Sequence, residues 1–366
     1  MELFLKLIPA TETQCNMQPI ISICVPTFNR AVCLENLINN LAILRTRHGF
    51  EIEICISDNH STDATSQVIE KWGPRLKFNA VCQTENIGAT MNAIAVVELA
   101  TGKWIMVIGD DDELIIDNFS KLLASLKSAH YDDWILVGVA DAAGKEFLLG
   151  QLAPGRYEAK SFRRILLRTG LYRFGFIGMH VFPSMRQSDF VHLLPNQTKP
   201  WPHLALLLQH LQGGHFQVLS VPIVEQAAGG SELFWNLGNW VRISLRKMQV
   251  IAGVAAMVKE HQSFLNMLIL RELFSLRNAK ELVLWKALEP RDFCHSALQE
   301  HIDCYMLLGF YSSLATIHCM FILLLYVTPS IFIRVILRLI GKKQLIQTYN
   351  LEKNTKNHFE GFNRGI

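Results

Sequence analysis

The chain has 366 residues, 50% of them hydrophobic and 18% charged, a balance that excludes a disordered chain and leaves room for one large domain plus an appendage, or for two domains. A net charge of +3 is too small to coat the surface for non-specific nucleic-acid binding, so nucleic acid is not an expected partner. The eight cysteines contain no CxxC pair, and Cys24 and Cys55 sit inside apolar runs; together with an opening segment too short in apolar residues for a signal peptide, this points to the cytosol.

Predicted elements alternate from the start. "IISICVPTF" (20–28) is a short β-branched run, the pattern of a buried strand, and 30–44 repeats apolar residues at helical spacing. A second strand is expected at 51–57, a capped helix over 61–72, a third strand at 76–83, a helix at 88–100 and a fourth strand at 103–109. Such alternation implies a parallel sheet with helices on both faces. Further strands are expected at 134–140, 174–182 and 216–224, with a helix at 201–212 and a glycine-containing loop at 227–239. From about 240 the sequence reads as helical. The expected division is an extension (1–18), a catalytic domain (19–235, with a nucleotide-binding half at 19–120 and an acceptor half at 121–235) and a C-terminal helical region (236–366).

Three polar clusters fall at predicted strand ends: "PTFNR", "SDNHSTD" and "GDDDEL". In sheets of this kind ligands bind beyond the carboxyl ends of the strands. A single aspartate before a helix would only complement its dipole, worth a few tenths to ~1 kcal/mol. Asp110, Asp111 and Asp112 together add mutual repulsion, about 4 kcal/mol for unit charges ~4 Å apart at a surface-like dielectric. A divalent cation offsets that, and hard oxygen ligands suit Mg²⁺ or Mn²⁺. A cation at a strand edge pairs naturally with a diphosphate, hence with nucleotide-linked chemistry. The absence of GxxxxGK[ST] and of GxGxxG after the first strand leaves P-loop hydrolysis and dinucleotide binding without support.

"ISICVPTFNR", "EIEICISDNHSTDAT" and "ENIGATMNAIAVVELATGKWIMVIGDDDEL", taken together over residues 19–120, resemble the N-terminal half of a family 2 glycosyltransferase of the GT-A fold. The variants "SDNHSTD", "ENIG…N" and "GDDD" look most like the abequosyltransferase-type branch of O-antigen and polysaccharide synthesis. The resemblance implies an α/β, Rossmann-like, mostly parallel sheet flanked by helices. It also implies an inverting transfer of a sugar from a nucleoside diphosphate donor. Pro26, Thr27 and Arg30 match the family's first nucleotide loop, and Asp58 and Asp63 the next, though Asp63 equally suits a helix cap. Asn86, Gly88 and Asn92 match the following loop and helix. "DDEL" sets Gly109 where many members carry the first acid of a DxD; Asp111 then faces the ribose and Asp112 the metal, with Asp110 in support and Asp111 a second metal ligand.

A general base has to take the acceptor proton. Where the family usually has Glu–Asp opening a helix, this sequence has Pro202–His203, which makes His203 the expected base; His180 and Asp189 are alternatives. A nucleotidyltransferase would want a glycine-rich first loop, which "PTFNR" is not. An inactive nucleotide-binding scaffold remains the alternative from another class, because the expected base is replaced.

Between Asp303 and Arg334 no Asp, Glu, Lys or Arg occurs, and basic residues follow: Arg334, Arg338, Lys342 and Lys343. The expectation is a C-terminal region that contacts membrane lipids as a re-entrant or interfacial element bent near Pro329, at the cytoplasmic face of a bacterial inner membrane. A lipid-linked oligosaccharide is then the expected acceptor, with Arg242, Arg246 and Lys247 available to its diphosphate.

Overall fold

In the computed structural model, residues 18–141, 152–192 and 201–226 are described, along with Gly144, Glu146, 250–251, 254, 262–273, 282–283, 286, 320–321 and 323–333. The chain divides into two compact units, Met1–Glu232 with Gly253–Leu268, and Leu233–Ala252 with Ile269–Ile366. The expected glycine loop at 227–239, the cations Arg242, Arg246 and Lys247, and the basic stretch from Arg334 onward lie outside the described residues.

Among the described residues, the first unit is built on a nine-stranded sheet. β1 (Ile21–Thr27) and β2 (Ile52–Asp58) are buried on both faces, which is why their sequences read as unbroken apolar runs. They pair in parallel from Ile21↔Ile52 to Thr27↔Asp58. The helix between them, α1 (Ala31–His48), buries Leu34, Leu37, Ile38 and Leu41 of the stripe its periodicity predicts, along with Leu44, whereas Val32 of that stripe is exposed. α2 (Thr65–Leu76) starts later than its sequence signal and runs further, holding Pro74 in its last turn. Lys77 then closes it at φ +50°, its N–H on Gly73 O at 2.8 Å. That extension shortens β3 to Asn79–Cys82. α3 (Ala89–Glu98) packs on β1 and β2 and leads to β4 (Trp104–Val107), which pairs in parallel with the free side of β1.

The rest of the sheet region adds β5 (Glu113–Leu114), α4 (Ile116–Ser128), β6 (Asp133–Ala140), β7 (Gly155–Glu158), α5 (Ala159–Thr169), β8 (His180–Pro183), α6 (Gln187–His192), α7 (Pro202–His210) and β9 (His215–Glu225). Strand order is β3-β2-β1-β4-β8-β6-β9-β5, with β7 on β9. β8 runs antiparallel between β4 and β6, and β5 and β7 run antiparallel to β9. The other six strands share one direction, so the sheet is mostly parallel.

One expected strand is corrected. Of 174–182 only the end is strand; Leu171–Phe174 and Ile177–Met179 are single 3₁₀ turns. The apolar signal there reports burial, not extension. Phe174 is fully buried edge-on to Phe162, which in turn stacks on Phe216 at 4.1 Å between ring centroids. Every residue of α7 is buried, so this helix is apolar all round and runs through the interior.

Candidate active site

Chain progression reverses at β1: β2 and β3 lie to one side of it and β4 to the other. A crevice opens at such a switch point, beyond the carboxyl ends of the strands. Thr27 ends β1, Asp58 ends β2 and residues 108–112 follow β4, so the three polar clusters meet at this edge.

The aspartates find a counter-charge within the chain. Thr27 Oγ1 donates to Asp110 Oδ2 at 2.7 Å. Arg30 Nη1 donates to Asp110 Oδ1 at 3.0 Å and to Asp111 Oδ2 at 2.7 Å. Burial by itself would lower the Arg30 pKa, but the charges of Asp110 and Asp111 outweigh it and hold the guanidinium above its ordinary value. Asp110 shifts up, chiefly through burial, and the bonds from Thr27 and Arg30 offset only part of that. The difference follows from depth: the Arg30 side chain is 29% exposed and that of Asp110 only 7%. Arg30 is thus tied to the acidic cluster, not held free for a phosphate.

Gly109 sets how the carboxylates of Asp111, held on Oδ2 by Arg30, and Asp112 lie in this turn. A Cβ on Gly109 would meet Asp112 Oδ2 at 2.8 Å and Asp111 Oδ1 at 2.9 Å. Two carboxylate oxygens from adjacent residues therefore aim at one point above a residue with no side chain. Asp112 is buried and closes the turn with its N–H on Gly109 O at 3.2 Å. Two carboxylates so placed are hard oxygen donors of the kind that could hold a divalent cation, with Asp111 and Asp112 as the candidate ligands. Asp110 is not one of them.

Among the described residues, three ligand-bearing side chains with donor atoms within 4.8 Å of one another occur elsewhere, at Asp132, Asp133 and His215. These sit at the opposite edge, where β6 and β9 begin. Arg156 Nε binds Asp133 at 2.8 Å and its Nη2 lies 3.8 Å from Asp132, so this charge is met from within.

The remaining sequence-expected residues mostly build the crevice wall. Asn92 is buried; it accepts from Ser57 Oγ at 2.6 Å and donates to Thr27 O at 3.2 Å and Ser57 O at 3.0 Å, tying the ends of β1 and β2 together. Asn86 Oδ1 accepts from Asn59 Nδ2 at 2.9 Å and from Gly88 N at 3.0 Å. Gly88 itself needs φ +84° and faces open space, so its glycine serves the backbone bend, not a close approach. Asp63 Oδ2 accepts from Ala31 N at 3.1 Å and Oδ1 from Thr65 N at 3.0 Å, serving the starts of both α1 and α2. Pro26 is half-buried at the end of β1. Asp58 is fully buried, with Ser61 N on Oδ1 at 3.1 Å and Cys82 Sγ 3.4 Å from Oδ2. Burial and that carboxylate push the Cys82 thiol up to about 11. The structure therefore keeps Asp58 inside the loop, away from the crevice surface.

The expected bases need correction. His203 is 4% exposed, with Nε2 on Gly175 O at 3.1 Å and Nδ1 buried without a hydrogen-bond partner. Burial, and secondarily His180, hold its pKa well below the usual histidine value. His180 lies beside it, its Nδ1 accepting from Trp134 Nε1 at 3.1 Å, its pKa lowered by burial to about 4. Both are neutral interior histidines, His203 on α7, which is buried on every side, and His180 at the buried start of β8. Asp189 pairs with Arg186 at 2.8 Å in α6, just past the far end of β8, at the edge opposite the crevice.

Residues that sequence reasoning missed are Ser57, Asn59, Asn29 and Glu225. Asn29 has φ +52° and accepts from Thr62 N at 2.7 Å through Oδ1, while its own N–H donates to Ser61 Oγ at 2.8 Å. An asparagine in the left-handed region beside a strand end is the one signal that "TFNR" offered. Glu225 ends β9 opposite Glu113 and beside Ala140.

The sheet order, its switch point at β1 and the acidic turn after β4 are those of a GT-A-like α/β domain. TarS from S. aureus has the same fold at a TM-score of 0.61 and 15% identity, over 85% of this chain and 54% of that one. A shorter form, TarS 1-349, is matched at 0.58 over 85% and 89%. Residues 22–186 match the Glycosyl transferase family 2 model. The abequosyltransferase RfbV of Salmonella typhimurium is 38% identical over 111 residues, 30% of this chain and 33% of that protein. The GalNAc(5)-diNAcBac-PP-undecaprenol beta-1,3-glucosyltransferase of Campylobacter jejuni is 31% identical over 134 residues, 35% and 42% respectively. The chain thus matches well under half the length of these curated relatives.

Proposed function

We propose that this chain is an inverting glycosyltransferase. In this reading it moves a sugar from a nucleoside diphosphate donor to a lipid-linked or polysaccharide acceptor in cell-surface glycan synthesis. The observation that carries the reading is the turn 109–112, where Thr27 and Arg30 neutralise one side and two carboxylate oxygens converge on the other. The similarity to RfbV supports the class of reaction. The Campylobacter relative, by its name a glucosyltransferase of an undecaprenol-linked glycan, supports a lipid-linked acceptor. Such an acceptor places the working protein at a membrane face where nucleotide sugars are available, the cytosolic one.

When bound, a divalent cation on Asp111 and Asp112 supplies stabilisation of the charge developing on the departing diphosphate. Arg30 fixes the orientation of Asp111 through its second carboxylate oxygen and so presets the cradle. Asn92 and Thr27 hold the β1–β2 floor rigid, which limits reorganisation as the sugar transfers. The acceptor hydroxyl attacks from the face opposite the diphosphate and must lose its proton. With His203 interior, we assign that role to Glu225, a half-buried carboxylate cross-strand from Glu113 and one residue from Asp112 in that pairing.

The replacement of the expected Glu–Asp by buried Pro202–His203 favours a second reading, a nucleotide-binding module without turnover. Incubation with a panel of nucleotide sugars and Mn²⁺ separates the two. UDP-sugars head the panel because TarS 1-349 was solved with UDP and with UDP-GlcNAc. Transfer or slow donor hydrolysis, lost in Asp112→Asn and lowered in kcat in Glu225→Gln, supports the transferase. Binding without turnover in the wild type supports the module.

A further inference from the structure

We infer that the second unit carries a lipid-facing surface formed by residues 320–333, which seats the protein on an anionic bilayer without crossing it. Residues 320–321, 323–327 and 330–333 are helical, interrupted at Thr328 and Pro329. Met320, Leu323, Leu324 and Val327 recur at spacings of three and four, so they share one side of the first helix, and Ile331 and Phe332 follow on the next turn. These six large apolar side chains are 49–69% exposed. The other side is held to its own unit: Leu325 and Ile333 are buried, and buried Lys286 donates from Nζ to Tyr326 O at 3.1 Å while lying 5.7 Å over its ring. The exposure is thus a property of one face, not of a helix standing free.

Charge decides what covers that face. No Asp, Glu, Lys or Arg occurs from residue 304 to 333; then Arg334, Arg338, Lys342 and Lys343 follow, with no acid before Glu352. In a second copy the same basic run follows directly on Ile333 in the sequence, so self-association would add like charge to like charge. An anionic headgroup layer accepts both the apolar side chains and the cations. Among the described residues no helix is long and apolar enough to cross a membrane, which agrees with an element lying in the interface. The break at Thr328–Pro329 lets the two short helices follow one plane.

The inference is independent of the donor chemistry, and its failure would leave sugar transfer untouched. The test is flotation of the full-length chain with vesicles of phosphatidylethanolamine and phosphatidylglycerol, and with phosphatidylcholine alone. Wild type should float with the anionic vesicles. Leu324→Asp with Val327→Asp should weaken that binding on the order of tenfold or more, without change in melting temperature, because both positions are exposed. Replacing Arg334, Arg338, Lys342 and Lys343 by Gln should erase the preference for anionic over neutral vesicles. No flotation of the wild type would overturn the inference. So would a wild-type dimer in analytical ultracentrifugation that the Asp substitutions convert to monomer.

Discussion

Replacing Arg30 with alanine strands the carboxylates it now holds. The wild-type guanidinium makes two charge-assisted hydrogen bonds, to Asp110 at 3.0 Å and Asp111 at 2.7 Å. Such bonds contribute about 1.5–3 kcal/mol each, and the partial exposure of Arg30 discounts both because water takes over part of the role. Asp110 lies deep and cannot be rehydrated in place, so the expected loss is about 2–3 kcal/mol in urea unfolding at neutral pH. Asp110→Asn removes the stranded charge. The double variant should therefore be less destabilised than the two singles added together, with a coupling of about 1–2 kcal/mol. The penalty of Arg30→Ala should also shrink as pH falls into the carboxylate range, where Asp110 takes up a proton. Additive single effects, or a pH-independent penalty, would refute the claim that Arg30 is the internal counter-ion of this turn.

Gly109→Ala sets a Cβ 2.8 Å from Asp112 Oδ2 and 2.9 Å from Asp111 Oδ1, so both carboxylates must shift; cation-dependent donor binding should fall by tenfold or more, read by titration calorimetry. Asn92→Ala removes three buried hydrogen bonds that join β1 to β2 and should cost about 2–3 kcal/mol in urea unfolding. His180, His203 and His210 all titrate below the ordinary histidine value, His180 and His210 at about 4, so each is neutral in the fold and protonated first in the unfolded chain. Their stabilising effect is complete above the unfolded value of ~6.5 and is lost as pH falls toward 4, about 3 kcal/mol for a group moved that far. A melting temperature that drops steadily across this window, and less steeply in His180→Gln, is the expected outcome.

The first half of the fold was legible because its signals are local. The strands at 21–27 and 52–58 are buried on both faces and the stripe of α1 repeats at helical spacing, so periodicity alone locates them. The convergence of the polar clusters followed from topology. What the cluster does with its charge did not, since nothing in "PTFNR" says that Arg30 folds across to Asp110 and Asp111. The strand expected at 174–182 holds only at its end, because apolar residues report burial whatever the backbone does. His203 was misread for a related reason: its position at a helix start matched a family role, while the burial of that whole helix depends on sheets and turns distant in sequence. The left-handed conformation of His60 carries loop geometry that no residue pattern announces.

The most direct test of the account is a crystal grown with MnCl₂ and a nucleoside diphosphate, read at the manganese absorption edge. The account predicts an anomalous peak bridging Asp111 and Asp112 above Gly109, with the diphosphate against it. A peak at Asp132, Asp133 and His215 on the opposite edge, with the acidic turn after β4 holding neither metal nor phosphate, would contradict it.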